Sequence, residues 1–293
     1  MNPDIAIRIT GLGKSYGDFT AEIAVETTTP ATIARRPRVA HVSLRAALFQ
    51  SLLMAWRGLL TFRHSPQLLY DALLLPIVGP LLFGSIFGTA IAGSMTAYLP
   101  ILIPGVLVQI VLTSSVATGV QLSEDIRSGV FDRFVAMPIA RSAPVAGALL
   151  AGATRYVIAA TTVVIVGFAM GYRPAHPIGF VAGAVLVVLA TTAISWLFAF
   201  IGVTVSRPAA VQGMSMLVLT FLSFASNALV PEESMPTWLG YVSDYNPVSY
   251  LVSAVRALAE NGAIGADACW SVVASLVVVA VFAPLTVRTL RAR

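Results

Sequence analysis

The chain has 293 residues, of which 57% are hydrophobic and 11% are charged, and its mean hydropathy is +0.86. An ordinary soluble domain is about 45–50% apolar and about 25% charged, so this composition excludes a water-soluble globule and a disordered chain. The net charge of +5 comes without a basic stretch that carries interleaved aromatic residues, which argues against a nucleic-acid partner. The class that remains is a membrane protein with several spans.

The first 40 residues are the least hydrophobic part and lack the apolar core of a signal peptide, so we expect a flexible cytoplasmic tail over 1–40. Within it, Gly13, Lys14 and Ser15 imitate the end of a phosphate-binding loop. The first glycine of that motif would stand where the chain has Arg8, so no nucleotide site is predicted.

An amphipathic helix is predicted over 41–64. At 100° per residue its apolar side chains fall on one arc, which comprises Leu48, Phe49, Leu52, Leu53, Trp56, Leu59 and Leu60. The pattern is typical of an interfacial connector helix along the cytoplasmic leaflet. A membrane span is the alternative, in which Arg57 would lie in lipid at a cost of about 2.5–3.5 kcal/mol.

The remaining domain, 65–293, contains six stretches that reach the ~20 apolar residues needed to cross a ~30 Å hydrocarbon core. They are 70–90, 99–120, 145–170, 178–205, 210–229 and 269–288. The sequence from Gly171 to Pro177 separates the third from the fourth. We therefore predict an all-α integral membrane fold with six transmembrane helices.

Basic residues predict the orientation of these spans. With an N-terminus in the cytoplasm, fifteen of the eighteen lysines and arginines lie on the cytoplasmic side. Arg173 and Arg256 lie outside, and Arg155 lies within the third span. Both termini are therefore expected in the cytoplasm, and the arginine-, alanine- and glycine-rich composition favours a bacterial cytoplasmic (inner) membrane.

Sites for enzyme chemistry are not indicated. No H-E-x-x-H or G-x-S-x-G motif occurs, the single cysteine excludes an intrachain disulfide, and the three histidines share no metal-ligand spacing. An ion-coupled carrier of hydrophobic compounds is the alternative transport class. It would require an acid or a histidine deep in a span, and apart from the interfacial Asp71 none occurs.

The connection over 121–138 is dense in charge in a chain that is otherwise nearly free of it. Glu124 and Arg127 can meet at i,i+3, and Gly129 permits a bend. The candidate residues here are Glu124, Asp125, Arg127, Gly129, Phe131, Asp132, Arg133 and Pro138. They suit a short helix that docks into a groove on a cytoplasmic partner, and a solvated loop is the alternative.

The long external connection begins with a turn at Pro236 and an interfacial aromatic residue, Trp238. Asn246 followed by Pro247 is a strong helix start, a side-chain cap and then a proline at the first helical position. Apolar residues then recur at helical spacing, which predicts an interfacial or re-entrant helix between spans five and six. Arg256 could reach water or pair with an acidic neighbour.

A family resemblance rests on these segments. The string Pro236-x-Trp238-Leu239 … Asn246-Pro247-x-x-Tyr250 … Arg256 resembles the external segment of type-2 ABC transporter permeases, with the daunorubicin-resistance (DrrB-like) exporters as the most similar subgroup. Pro104-Gly105 and Glu124-Asp125 … Gly129 … Asp132-Arg133 … Met137-Pro138 … Arg141 are similar to the same family. The match runs from about 64 to 262.

The resemblance implies a mechanism and partners. Such permeases pair, as two copies or with a homologous permease, and bind two cytoplasmic ATPase subunits, which hold the ATP and Mg²⁺. This chain would then bind no cofactor and would have no ATPase site of its own. Residues 121–138 would contact the ATPase, and 246–256 would form the external re-entrant segment. The substrate would be a hydrophobic or amphipathic drug, lipid or glycolipid.

The tail carries a second resemblance. Residues 8–18 resemble the opening strand of ABC-transporter ATPases, in which a tyrosine before a glycine stacks on adenine; here these are Tyr16 and Gly17. No nucleotide-binding loop follows, so a chance match or a relic of a fused or neighbouring gene is the expected explanation.

A few polar residues stand inside the predicted spans. Arg155 lies about ten residues into the third span, where a buried charge needs a partner, for which an ion pair or a lipid phosphate would serve. Gln109 and Ser114 in the second span could line a pathway for a lipid-like substrate. Ordinary helix–helix contacts are the alternative for all three.

Overall fold

The computed structural model describes residues 13–16, 19–22, 66–129, 143–228 and 236–292. They belong to two units, one within residues 1–41 and one within 42–293, which are described separately. The predicted connector helix over 41–64 lies outside the described residues.

The first unit contains a hairpin. Strands β1 (Gly13–Tyr16) and β2 (Phe19–Glu22) pair antiparallel, with Tyr16 opposite Phe19. The Gly-Lys-Ser sequence that imitates a phosphate-binding loop therefore lies on a strand, whereas the glycines of such a loop follow a strand and lead into a helix. The predicted tail thus includes a short element of regular structure that the composition did not indicate.

The described part of the second unit is helical. In chain order it contains α1 (Pro66–Ala92), α2 (Met95–Arg127), α3 (Ala143–Ala169), α4 (Pro177–Thr204), α5 (Pro208–Phe224), α6 (Thr237–Asp244), α7 (Pro247–Asn261) and α8 (Ala266–Ala292). Helices α1, α2, α3, α4 and α8 are long and apolar enough to cross a membrane. The described helices are thus consistent with the predicted all-α membrane class, and five of the six predicted spans have a counterpart of spanning length.

The fifth predicted span, 210–229, corresponds to α5, which has 17 residues and ends at Phe224. At 1.5 Å per residue it covers about 25 Å, which is less than a ~30 Å hydrocarbon core. The hydroxyl of Ser226 donates to the carbonyl oxygen of Ser223 at 2.7 Å, a local bond that competes with helix continuation. The apolar run therefore extends further than the helix does.

Helix α2 is the centre of the bundle. It packs against α1, α3, α4, α5 and α7, and 72% of its apolar window is buried, against 11% for α8. Large apolar side chains cover the outside of the bundle, such as Leu276, which is 63% exposed. Such a surface suits contact with lipid tails rather than with water.

Helices α2 and α4 run in the same direction and touch closely. A Cβ on Gly119 would collide with the carbonyl oxygen of Phe198, and a Cβ on Gly202 with that of Gly119. Small residues of this kind let helix backbones approach in a membrane. We name the two ends of the bundle by their residues. The Arg127 end is where α2 finishes, and the α7 end is where α2 begins.

Candidate functional site

Helix α7 is inserted into the bundle, and it begins where the sequence predicts. Asn246 is its N-cap, the side-chain oxygen accepts from the backbone N–H of Val248 at 2.9 Å, and Pro247 occupies the first helical position. The residues that face the bundle are Val248, Ser249, Leu251, Val252, Ala254, Val255, Leu258 and Ala259, all of which are buried. The predicted start of this helix is confirmed.

Asn246 also joins α7 to the end of α5. Its Nδ2 donates to the carbonyl oxygens of Leu222 at 2.7 Å and of Ala225 at 2.8 Å. Leu222 lies in the last turn of α5 and Ala225 is the residue that follows the helix, where carbonyl groups have no partner within the helix. A single buried amide therefore caps the start of one helix and the end of another.

Arg256 makes polar contacts between α7 and two other segments of the bundle. Its Nη2 donates to the carbonyl oxygens of Ile101 in α2 at 3.1 Å and of Ala228 after α5 at 3.2 Å. Gly105 permits this arrangement, because a Cβ there would collide with the Ala228 carbonyl. The chain beyond α5 therefore lies directly on the α2 backbone.

Helix α4 forms the opposite wall of the α7 site. A Cβ on Gly179 would collide with the carbonyl oxygen of Leu258, and the backbone N–H of His176 donates to that of Ala259 at 2.9 Å. Helix α7 ends at Asn261, and the residue that follows it, Gly262, has a φ of 66°, which favours glycine. Glycines on α2 and α4 thus make the space in which α7 and its flanking chain lie.

Tyr172 lies in the α3–α4 connection near this site. Burial raises the pKa of its hydroxyl to about 12, with a further increase from the negative charge of Glu260 and a decrease from Arg256. Its ring packs edge-on against Phe180 at 5.2 Å between centroids. The hydroxyl therefore stays neutral throughout the physiological range.

The other predicted residues of the external segment are more exposed. Pro236 is exposed, and Trp238 is 68% exposed. The rings of Tyr250 and Trp270 lie 6.4 Å apart and tilted by 31°. Tyr250 is half-buried, whereas Trp238 and Trp270 are at the surface of the α7 end, where a membrane interface would accommodate them.

The Arg127 end has an open groove of about 1060 Å³ between the end of α2 and the turn from α4 to α5. It is lined by Glu124, Arg127, Ser128, Ser206, Arg207, Pro208 and Ala209. Gly129, with a φ of 70°, ends the helix, and the hydroxyl of Ser123 donates to the carbonyl oxygen of Val205 at 3.3 Å. The groove presents charges of both signs to a partner.

The remaining predicted residues of this segment are distributed as follows. Asp125 is half-buried on the last turn of α2. Phe131, Asp132, Arg133 and Pro138 lie outside the described residues.

The middle of the bundle contains a buried polar contact that the sequence did not indicate. The hydroxyls of Tyr156 in α3 and Thr118 in α2 lie 2.7 Å apart, and that of Tyr156 also faces Ser195 in α4. Gly152 makes room, because a Cβ there would lie 2.7 Å from the Thr118 hydroxyl oxygen. In the sequence, this contact is indicated only by the presence of Tyr156 in an apolar stretch, because a buried tyrosine hydroxyl needs a hydrogen-bond partner.

The structure does not bring the three predicted intramembrane polar residues into one contact network. Ser114 donates to the carbonyl oxygen of Ile110 within its own helix at 3.1 Å. The Oε1 of Gln109 and the Nε of Arg155 are buried and have no hydrogen-bond partner within the described ranges. No group of three or more potential metal ligands occurs among the residues described.

Comparisons with known proteins point to one family. The model of the ABC-2 type transporter family matches residues 49–259. The chain is 40% identical over 271 residues to the daunorubicin resistance ABC transporter permease protein DrrB1 of Streptomyces coeruleorubidus, covering 91% of this chain and 96% of that protein.

Two more distant relatives agree. The chain is 26% identical over 220 residues to the putative transport permease ycf38 of Porphyra purpurea, covering 73% of each chain. It is 25% identical over 224 residues to the probable doxorubicin resistance ABC transporter permease protein DrrC of Mycobacterium tuberculosis, covering 75% of this chain and 80% of that protein.

Proposed function

We propose an exporter function from one premise: the chain belongs to the ABC-2 type transporter family, as a DrrB-like type-2 ABC transporter permease. It is the membrane-spanning subunit, and a separate cytoplasmic ATPase subunit supplies the energy by binding and hydrolysing ATP. The cargo is a hydrophobic or amphipathic compound that moves outward across the bacterial cytoplasmic membrane. The observation that carries the proposal is the 40% identity, over 91% of this chain, to a permease named for daunorubicin resistance.

The helix order supports six crossings with both termini in the cytoplasm. Helix α5 starts at the Arg127 end, beside Arg207, and its last turn contacts Asn246 at the α7 end. It therefore runs between the two ends although it has only 17 residues. We therefore count α5 as a span together with the five longer helices, which makes six, and in this arrangement α6 and α7 lie on the outer side.

The Arg127 end is the proposed contact for the ATPase. Glu124, Arg127 and Arg207 offer both charges to a partner's side chains in one groove. Closure of a pair of ATPase subunits would displace this segment, and α2 would carry the movement to Arg256 through the carbonyl of Ile101. A second copy of the chain or a homologous permease completes the membrane part.

The test uses inverted membrane vesicles that contain this chain and the ABC ATPase encoded nearest to it. We expect ATP-dependent uptake of daunorubicin, followed by quenching of its fluorescence, only when both proteins are present. Uptake by the chain alone, driven by a proton gradient, would indicate an ion-coupled carrier. ATP hydrolysis by the purified chain alone would contradict the division between permease and ATPase.

Charge reversal tests the coupling segment in the same vesicles. The double variant E124K/D125K should lose drug uptake while the complex still inserts and hydrolyses ATP. D244K reverses an exposed charge at the α7 end and is the matched control. Unchanged uptake in E124K/D125K would reject the coupling role.

A further inference from the structure

A groove between α3 and α4 lies apart from both ends of the bundle. It has a volume of about 360 Å³, and its wall contains one polar side chain, Thr161. The apolar residues of the wall are Val157, Ala160, Val164, Val181, Ala184, Val185, Val188 and Leu189. We call it the α3–α4 groove. Ligand pockets in proteins measure about 300–1,000 Å³, so its volume suits one compact apolar group.

The groove opens on the outside of the bundle, in the half of α3 and α4 that lies nearer the α7 end. Both of its walls belong to helices of spanning length, and Val185 and Leu189 at its rim are 54% and 62% exposed. Thr161 lies about 21 Å along the helix from Gly147 and about 12 Å from Ala169, at 1.5 Å per residue. Lipid headgroups and water are therefore remote from its hydroxyl.

Thr161 differs from its neighbours in hydrogen bonding. The hydroxyl of Thr162 donates to the carbonyl oxygen of Ile158 at 2.8 Å, and that of Thr192 to the carbonyl of Val188 at 2.7 Å. Among the residues that the structure describes, the hydroxyl of Thr161 makes no such bond. An unpaired hydroxyl in hydrocarbon is costly, because nothing there replaces the water that it has lost.

We propose that the α3–α4 groove binds the exported compound at the boundary between the bundle and the lipid phase. The apolar part of the compound lies along the aliphatic wall, and a hydroxyl or carbonyl oxygen hydrogen-bonds to Thr161. The acyl chain of an ordinary phospholipid fits the wall equally well but carries no polar atom at this depth. The unpaired hydroxyl therefore favours a compound with an oxygen attached to an apolar ring or chain. This inference rests on the proposed export function.

Binding is measured on the chain alone in lipid nanodiscs, by the fluorescence anisotropy of daunorubicin as the probe. T161V keeps the shape of the side chain and removes the hydroxyl, and it should weaken binding roughly two- to tenfold, the effect of one lost hydrogen bond. A184F fills the groove and should weaken binding at least about tenfold. We expect T162V, which alters a hydroxyl bonded within its own helix, and A182F, on an exposed position outside the groove, to bind as the wild type does.

A second measurement uses photolabelling of the wild-type chain. A phosphatidylcholine with a photoreactive group at the middle of its acyl chain should label residues 157–164 and 181–189, and saturating daunorubicin should protect them. Labelling that daunorubicin leaves unchanged would assign the groove to bulk lipid and overturn the proposal. A change in oligomeric mass caused by A184F would assign it to a second copy, with the same consequence.

The groove and the exporter function can fail separately. Wild-type affinity in both T161V and A184F, with ATP-dependent uptake intact, would overturn the groove and leave the function standing. Absence of daunorubicin binding by the wild-type chain would overturn the proposal for this probe class. Loss of ATP-dependent uptake in the two-protein vesicles would instead overturn the function.

Discussion

Arg256 in α7 donates a hydrogen bond to the backbone carbonyl of Ile101 in α2, 155 residues away along the chain. The same nitrogen bonds to the carbonyl of Ala228, so one guanidinium connects three segments at the α7 end. A planar, permanently charged group with several donors suits this task better than an ammonium does. The contact couples the position of α7 to that of the central helix.

R256A should lower the free energy of unfolding by about 2 kcal/mol, because hydrogen bonds to charged groups contribute about 1.5–3 kcal/mol. R256K should recover only part of this, since one ammonium does not reproduce the planar fork. Thermal unfolding in detergent measures both. R173A is the control, because Arg173 is exposed and its hydrogen bonds go to the carbonyls of the nearby Phe168 and Tyr172, so it connects no distant segments among the described residues. Equal losses in R173A and R256A would contradict the bridging role.

Asn246 has two functions that two substitutions separate. N246A removes both the cap and the bonds to α5, whereas N246D keeps an N-cap acceptor but turns an acceptor toward the carbonyls of Leu222 and Ala225. We expect N246D to be at least as destabilising as N246A, although aspartate caps isolated helices well. Hydrogen exchange at 221–225 and 247–252 should increase in both variants. Wild-type exchange at 221–225 in N246D would show that the link to α5 contributes little.

Two glycine substitutions distinguish close packing from helix propensity. G105A places a methyl group against the carbonyl of Ala228, so it should separate α2 from the chain after α5 and strongly reduce the yield of folded protein. G213A lies in the helix α5, where the added Cβ would have no atom within 4 Å apart from the adjoining residues and backbone of its own helix. It should be neutral or stabilise by up to about 1 kcal/mol. Size-exclusion profiles and thermal stability compare the two, and similar behaviour would refute the close approach.

Y156F should cost about 1 kcal/mol of stability, the net contribution of one hydrogen bond, because it leaves the buried hydroxyl of Thr118 without this partner. The fold should persist, since the ring and its packing are unchanged. Y245F alters a side chain that is 85% exposed and should have no effect. Thermal melts of the three proteins under one detergent condition test this, and a Y156F melt equal to that of the wild type would argue against the bond.

Tyr172 gives the protein a pH dependence at the alkaline end. Its folded pKa of about 12 lies above the ordinary value of 10, so the folded state holds the proton more tightly than the unfolded state. Its contribution to stability is complete below pH 10 and is lost as the pH rises toward 12. The wild type should therefore lose more stability than Y172F between pH 10 and 12. Parallel melting curves across this range would exclude the raised pKa.

The sequence predicted what depends on local patterns. The helix start at Asn246 and Pro247 could be read directly, because a cap and a proline act within a few residues of themselves. The five longer helices were predicted from their apolar composition. The break between α3 and α4 was predicted from the segment between Gly171 and Pro177. The end of α5 was not predicted, because local serine bonding and the amide of Asn246 end the helix inside an apolar run.

Long-range partners could not be predicted. The sequence offered Arg256 water or an acidic neighbour, Asp244 or Glu260, and gave no indication of the two backbone carbonyls, 155 and 28 residues away, to which it donates. Carbonyl groups have no signature in a sequence, since every residue carries one. The same applies to Thr118 and Tyr156, whose 38-residue separation conceals their contact.

Because α2 is continuous, the angle about its axis between the residues at its two ends is fixed. Its 33 residues extend without interruption from the turn that holds Ile101 to the turn that carries Glu124 and Arg127. One residue inserted between them would rotate one end by about 100° relative to the other. Glu124 and Arg127 would then face another side of the bundle, while Arg256 would still donate to the carbonyl of Ile101. Seven residues, close to two full turns, would restore the direction and lengthen the helix by about 10 Å. The two ends are thus related in angle as firmly as in distance.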